Sequence, residues 1–340
     1  MCYYINEFFG GVTMKKPLKI ILACICVAAI AVCAVIAIVN LNKNKGAEAV
    51  SDTNFEENID SLDMMQNTWQ TAVPQTEIYD MISNHFASPL PEGKTEKKAI
   101  VIGYDGCRVD NFTLLKNAEK SGINALLDNG GKAVFSYAGG VNYPAEPTQK
   151  TSTAPGWCSM LTGKWADVHK ITENGHPKEI EPKTLLLSLV EDGTVDKSAF
   201  YVSWKGHFTK KKSTYINEKQ YIEDNKINSV FLRAKNDEGT KKNVLSDINS
   251  KDCSDFIFLT LEYTDHSGHG SGFSLENPKY VQGFRDADET GAEFIDAIKA
   301  RENYDKEDWL IVITTDHGGY LKEHGGPTIQ ERITFIVSNK

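Results

Sequence analysis

Residues 309–319 read Trp-Leu-Ile-Val-Ile-Thr-Thr-Asp-His-Gly-Gly, a short apolar run that stops abruptly at a carboxylate, an imidazole and two glycines. A run this short with no polar alternation suits a strand buried on both faces, as in a parallel sheet. The pattern recurs upstream. Ala99-Ile-Val-Ile-Gly-Tyr104 leads into Asp105-Gly106, and Asp255-Phe-Ile-Phe-Leu-Thr-Leu261 leads into Tyr263-Thr-Asp265-His266-Ser-Gly-His269. Ala199-Phe-Tyr-Val-Ser-Trp204 and Ile333-Thr-Phe-Ile-Val337 are further runs of the same kind. Helix-like blocks lie between them, near 111–129, 184–192 and 277–301. In the last, Tyr280, Val281, Phe284, Ala287, Phe294, Ile295 and Ile298 recur at spacings of three and four, and Ile78, Met81, Ile82 and Phe86 do the same ahead of the first strand. The alternation predicts an α/β fold with helices on both faces of a central, mostly parallel sheet.

The chain has 340 residues, 41% hydrophobic and 24% charged, a globular composition that excludes global disorder and a many-span membrane protein. Its net charge is −9, and residues 1–45 hold five Lys against one Glu, +4, so the remainder carries −9 − 4 = −13. A body this acidic does not present a broad surface for coating nucleic acid. If its substrate is an anion, positive charge must be supplied locally, and bound metal is one source.

Ile20 to Val39 is a run of twenty residues without charge, Gly or Pro. At about 1.5 Å per residue it spans roughly 30 Å, the thickness of a bilayer's hydrocarbon core. The reading is a short tail over 1–17, a membrane anchor or uncleaved signal over 18–41, a polar linker over 42–73 with a short helix around Ile59–Trp69, and a folded body over 74–340. A cleaved signal peptide is the alternative, since Lys15, Lys16 and Lys19 make a good basic leader. Three Lys before the span and two after it favour a cytoplasmic N-terminus and an extracytoplasmic body. Of the seven Cys, only Cys107, Cys158 and Cys253 lie outside the N-terminal stretch, far apart and in no CxxC pair, which argues against a disulfide framework or a thiolate metal site.

In such folds ligands bind beyond the carboxyl ends of the strands. Asp105, Asp265 with His269, and Asp316 with His317 all fall there, and His324-Gly-Gly-Pro follows a short step later. An isolated Asp-Gly is a turn and an isolated His is usually structural; three strand ends furnished alike point to a metal centre. Mixed carboxylate and imidazole donors suit Zn²⁺ or Mn²⁺ better than Ca²⁺. One more element is Thr151-Ser-Thr153-Ala-Pro155-Gly-Trp157-Cys-Ser-Met-Leu161-Thr162-Gly163. A hydroxyl before Pro at a helix start stands at a partial positive charge with free N–H groups, although a plain N-cap has the same appearance.

Together these residues resemble the alkaline phosphatase superfamily, and most of all its type I phosphodiesterase/nucleotide pyrophosphatase branch. The matching features, in chain order over about residues 97–340, are Asp105, then Thr153 with Pro155 and Gly163, then Asp265-His-Ser-Gly-His269, Asp316-His317-Gly318 and His324-Gly325. The resemblance implies an alkaline-phosphatase-like three-layer α/β/α sandwich, preceded here by the N-terminal transmembrane helix. It implies two divalent ions, Zn²⁺ or alternatively Mn²⁺. Asp265, His269 and His324 would hold one of them, and Asp105, Asp316, His317 and the Thr153 oxygen the other. Thr153 would be the nucleophile of a phosphoric ester hydrolase, attacking phosphorus to form a phosphothreonine that water then cleaves. Two positions depart from the branch's usual pattern, an aromatic after the nucleophile and an Asn two places further on: here they are Ala154 and Gly156.

Three other readings share some of these features. A phosphomonoesterase or phospho-group transferase would use the same site. A sulfatase is disfavoured, because position 153 is Thr and position 157 is Trp rather than Arg. A membrane-tethered binding module would have no need of a paired-metal site. The expectation is therefore a membrane-anchored, extracytoplasmic hydrolase acting on a small phosphate ester.

Overall fold

A computed structural model describes residues 54–175, 180–209 and 211–340. The twenty-residue apolar run lies outside the described residues; among those described, no helix is long and apolar enough to cross a membrane. Eight strands form one sheet: β1 (Val73–Pro74), β2 (Glu96–Tyr104), β3 (Lys132–Tyr137), β4 (Ser198–Val202), β5 (Ser229–Arg233), β6 (Phe256–Leu261), β7 (Glu307–Thr314) and β8 (Ile333–Ser338). Their order is β1-β3-β8-β7-β2-β6-β4-β5. Only β8 runs against its neighbours among the described strands; every other pairing is parallel.

The strands read as apolar runs because both faces of the sheet are covered. Along β2, Ile100, Ile102 and Tyr104 enter one core while Ala99 and Val101 enter the other. β6 and β7 divide in the same way, Ile257 and Leu259 from Phe256 and Phe258, and Ile311 and Ile313 from Leu310 and Val312. The first core is closed by Phe284, Phe294, Ile295 and Ile298 of the long helix Pro278–Lys299 and by Val244 and Ile248 of Asp237–Ile248. The second is closed by Ile78 and Ile82 of Glu77–Ala87, by Trp157 and Leu161 of Thr153–Thr162, and by the leucines of Leu185–Glu191. This is a three-layer sandwich. The helix Pro278–Lys299 begins where its sequence dictates: the Asn277 side chain accepts from the Lys279 N–H at 3.1 Å, with Pro at the first helical position.

The expected polar linker is corrected at its C-terminal end. Phe55, Ile59 and Leu62 are buried in the first core, the helix there is Phe55–Asp60 rather than 59–69, and Val73–Pro74 pairs with β3. Three well-spaced apolar residues in an otherwise polar stretch are enough to bind it to the domain, since burying each is worth about 1.5–3 kcal/mol. The three cysteines of the body are buried and free.

Candidate metal centre

The sheet order brings the furnished strand ends together. β2 lies between β6 and β7, with Tyr104 beside Leu261 and Gly103 beside Thr314. Asp105, Asp265 and Asp316 therefore emerge from three adjacent strands. The turn after β2 is tightly braced. Tyr280 Oη donates to the Gly106 carbonyl and accepts from the Arg108 N–H, each at 2.9 Å, and Thr264 Oγ1 donates to the Asp105 carbonyl. Gly106 has φ +65°, and a Cβ there would stand 2.8 Å from Asp265 Oδ1, so both the backbone conformation and the close approach require glycine.

Each imidazole of the cluster is oriented by a backbone carbonyl. Nδ1 of His317 lies 2.6 Å from the Gly318 carbonyl, Nδ1 of His269 lies 2.7 Å from that of Lys322, and Nδ1 of His324 lies 3.1 Å from that of Thr151. A carbonyl only accepts, so Nδ1 carries the proton in all three and Nε2 presents a lone pair. Those lone pairs face carboxylates. His317 Nε2 is 3.6 Å from Asp105 Oδ1 and 3.3 Å from Asp316 Oδ2, and both His269 Nε2 and His324 Nε2 are 3.6 Å from Asp265 Oδ1. The rings of His317 and His324 stack at 4.0 Å, so the two groups adjoin.

The outward oxygens of Asp105 and Asp316 are held, and the oxygens facing the cluster are not. Asp105 Oδ2 accepts from Trp157 Nε1 at 3.2 Å, and Asp316 Oδ1 accepts from the Gly106 N–H at 3.2 Å. Asp105 Oδ1, Asp265 Oδ1, Asp316 Oδ2 and His317 Nε2 are buried without a hydrogen-bond partner. Leaving a polar group in that condition costs about 1–3 kcal/mol, and more when it is charged. Electrostatics agree. Burial, reinforced by the Asp316 charge, raises the Asp105 carboxyl well above its usual range, and burial does the same to Asp316. Burial, then the neighbouring imidazoles, drives His317 well below its usual range. Burial thus disfavours the charged forms of both acids and imidazole; a divalent cation would draw the carboxyls back to their ionised form and, by taking the Nε2 lone pair, keep the imidazole unprotonated.

The structure thus gathers Asp105, Asp316 and His317 in one group and Asp265, His269 and His324 in the next. Thr153 is the first residue of the helix Thr153–Thr162, and its hydroxyl makes no hydrogen bond with another described residue. Its neighbour Thr151 is fully engaged: Oγ1 donates to the Gly326 carbonyl at 2.9 Å and accepts from the Gly325 N–H at 3.1 Å. The helix start offers fewer free donors than its sequence suggests. Pro155 has no N–H, the Gly156 N–H donates to the Ser152 carbonyl, and the Ala154 N–H donates to Asn174 Oδ1 at 2.8 Å.

Two residues absent from the sequence reading belong here. Asn174 sits on the first turn of that helix, and with its oxygen engaged by a backbone N–H its amide nitrogen is left as a donor. Nothing local in the sequence marks it, since it reads as an ordinary Asn-Gly turn. Glu262 follows β6 directly and offers a carboxylate oxygen within 4.8 Å of those of Asp105 and Asp265. Its place at a strand end could have marked it. Gly156, one of the departing positions, is explained by contact: a Cβ there would stand 2.8 Å from Asp316 Cβ.

The sequence model of the type I phosphodiesterase / nucleotide pyrophosphatase family matches residues 99–320. No curated protein matches the chain. Among solved structures, murine ectonucleotide pyrophosphatase/phosphodiesterase 5 is similar at 19% identity, with 65% of this chain and 57% of that one covered and a TM-score of 0.46. The chain thus spans little more than half of that protein's length. The C-terminal periplasmic domain of the phosphoethanolamine transferase EptC from Campylobacter jejuni is similar at 13% identity, 73% and 80% coverage and a TM-score of 0.46. The alkaline phosphatase of the Antarctic bacterium TAB5 is similar at 12% identity, 72% and 91% coverage and 0.43.

Proposed function

The chain belongs to the type I phosphodiesterase / nucleotide pyrophosphatase family, and from that footing we propose that it is a metal-dependent phosphodiesterase with Thr153 as its nucleophile. The observation that carries the reading is the convergence of three Nε2 lone pairs on carboxylate oxygens, four of the converging atoms being buried and unpartnered. Asp265, His269 and His324 would hold one divalent ion, and Asp105, Asp316, His317 and Thr153 the other. Zn²⁺ suits this mixture of imidazole and carboxylate donors, with Mn²⁺ as the alternative. When bound, the pair supplies positive charge to the phosphoryl oxygens and lowers the pKa of coordinated hydroxyl groups.

The chain's own residues do the rest. Thr153 presents its free hydroxyl at the positive end of a ten-residue helix. Its hydroxyl gives up its proton to solvent as the oxygen forms a bond to phosphorus, the ester P–O bond breaks, and the departing alkoxide takes up a proton from water. Water then cleaves the phosphothreonine and returns the hydroxyl. The Asn174 amide nitrogen donates to a phosphoryl oxygen as negative charge builds there, in place of the donor that position 156 lacks. Thr151 and Trp157 serve as positioning residues, the first for His324 and the second for Asp105.

The cavity of about 960 Å³ that opens beside Asp265 and His269 leaves room for an organic substituent, which favours a diester over a bare monoester. We place the body outside the cytoplasm, tethered to the membrane through residues 20–39, on the strength of the apolar run and its flanking lysines. The test is metal content with a chromogenic panel. The purified protein should hold about two equivalents of metal and hydrolyse bis-p-nitrophenyl phosphate faster than p-nitrophenyl phosphate, leaving p-nitrophenyl sulfate untouched. Preference for the monoester would move the assignment to a phosphomonoesterase, and a metal-replete protein inert to every ester would overturn it.

A further inference from the structure

The cavity beside the metal centre follows the carboxyl ends of β4, β5 and β6, and its wall carries Lys205, Lys212, Arg233 and Lys235 together with the ring of Trp204. These cations come from two separate segments, one after β4 and one at the end of β5, in a body whose net charge is −9 − 4 = −13. The cavity's acids are already engaged. Asp237 accepts from Ser203 Oγ at 2.7 Å and from the Glu262 N–H at 3.0 Å, and Glu238 accepts from Tyr263 Oη at 2.7 Å and pairs with Lys241 at 3.4 Å. Glu262 and Asp265 face the metal cluster. Arg233 Nε donates to the Ser203 carbonyl at 2.9 Å. Lys205, Lys212 and Lys235 are exposed and form no ion pair among the described residues. Lone lysines on a surface are ordinary. Three unpaired ammonium groups converging on one cavity of an acidic body, next to the reacting centre, are a recognition surface for negative charge.

Resting on the reading of the centre as a phosphodiesterase site, we infer that this cavity selects substrates whose organic part carries a second phosphate beyond the scissile diester. Lys205, Lys212 and Lys235 meet that phosphate, while Trp204 packs on the apolar part between the two anionic groups. A neutral alcohol or aryl substituent leaves the ammonium groups in water and gains nothing from them. Exposed charge contacts are individually weak, so three together favour the second phosphate by about tenfold at low salt. That preference shrinks as the Debye length falls below about 10 Å above 0.1 M salt.

The test is a matched pair of esters, thymidine 5′-(p-nitrophenyl phosphate) and the same ester bearing a 3′-phosphate. Both are titrated by calorimetry into the full-length, zinc-loaded Thr153→Ala protein. The 3′-phosphorylated ester should bind about tenfold more tightly. The preference should vanish in the triple variant Lys205→Gln/Lys212→Gln/Lys235→Gln with affinity for the plain ester unchanged, and it should persist in the triple Lys→Arg variant. Equal affinities, no binding of either ester, or a preference that survives in the Gln variant overturns the inference. Turnover by the wild-type protein is measured separately. Absence of hydrolysis of both esters would refute the phosphodiesterase reading while the binding comparison still decides the role of the cavity.

Discussion

Trp157 Nε1 donates to Asp105 Oδ2 at 3.2 Å from a side chain that is fully buried between the sheet and the helix carrying Thr153. The indole has two functions. Its ring packs edge-on against Phe258 in the second core, at 5.7 Å between centroids, and its single donor fixes the rotation of the carboxylate so that Oδ1 faces His317. A hydrogen bond behind a metal ligand holds the ligand's geometry, and losing one typically lowers metal affinity or activity 10–100-fold. Trp157→Phe keeps most of the packing and removes the donor. We expect a folded protein with metal affinity about tenfold weaker, measured by competition with a chromogenic chelator. Unchanged affinity would assign Trp157 to the core alone.

Thr153 and Thr151 should separate cleanly. Thr153→Ala should abolish turnover and leave about two metals in place, since six other donors remain, and Thr153→Ser should retain partial activity with a less restricted rotamer. Thr151→Ala removes two hydrogen bonds to the Gly325–Gly326 segment that carries His324, so it should weaken metal retention and lower the melting temperature. Acid quenching during turnover should trap phosphate on Thr153; label on Thr151 or Ser152 would show the nucleophile to be misassigned.

Asp265 faces two imidazoles at once, His269 and His324, each at 3.6 Å. Asp265→Ala should therefore cost about one equivalent of metal and several orders of magnitude in kcat, measured by elemental analysis and steady-state kinetics. Chelation of the wild-type protein should lower its melting temperature, because the unpartnered oxygens of Asp105, Asp265 and Asp316 lose their counterion. Zn²⁺ should restore it.

Glu218 gives a pH prediction away from the centre. Burial raises its carboxyl to about 7 despite hydrogen bonds from the Thr184 N–H at 3.1 Å and the Thr184 hydroxyl at 2.5 Å. The folded state then binds a proton that the unfolded state has released. Stability falls as pH rises from the model-peptide value of 4.5 through about 7, by up to about 3 kcal/mol. Glu218→Gln should flatten that decline between pH 5 and 8 in thermal melts. An unaltered pH slope in the variant would refute the role given to this residue.

The central strands were legible in the sequence because both of their faces are buried. β2, β6 and β7 each contain an unbroken apolar run towards their carboxyl end, beyond which stand Asp105, Asp265 and Asp316 at positions a strand-end rule finds directly. β3 and β5 were not legible. Lys132-Ala-Val-Phe-Ser-Tyr137 is partly exposed along its length, and Leu232 in the edge strand β5 faces solvent, so neither has the unbroken apolar signature. The helices Ile216–Asn225 and Asp237–Ile248 escaped detection for a related reason, since each presents only a narrow apolar stripe among charged residues.

The sequence by itself determined the residue types of the proposed centre and their order, because a metal site would need imidazole and carboxylate and each stands next to a recognisable turn. Only the tertiary structure decided which groups meet. Strand order places β2 between β6 and β7, which sets His317 against Asp105 across some two hundred residues and His324 against Asp265. Asn174 enters the site through packing alone, and so do the lysines of the neighbouring cavity, whereas Glu262 stands at a strand end. Their chemistry depends on distances between segments remote in the chain, which side-chain periodicity along one segment does not encode.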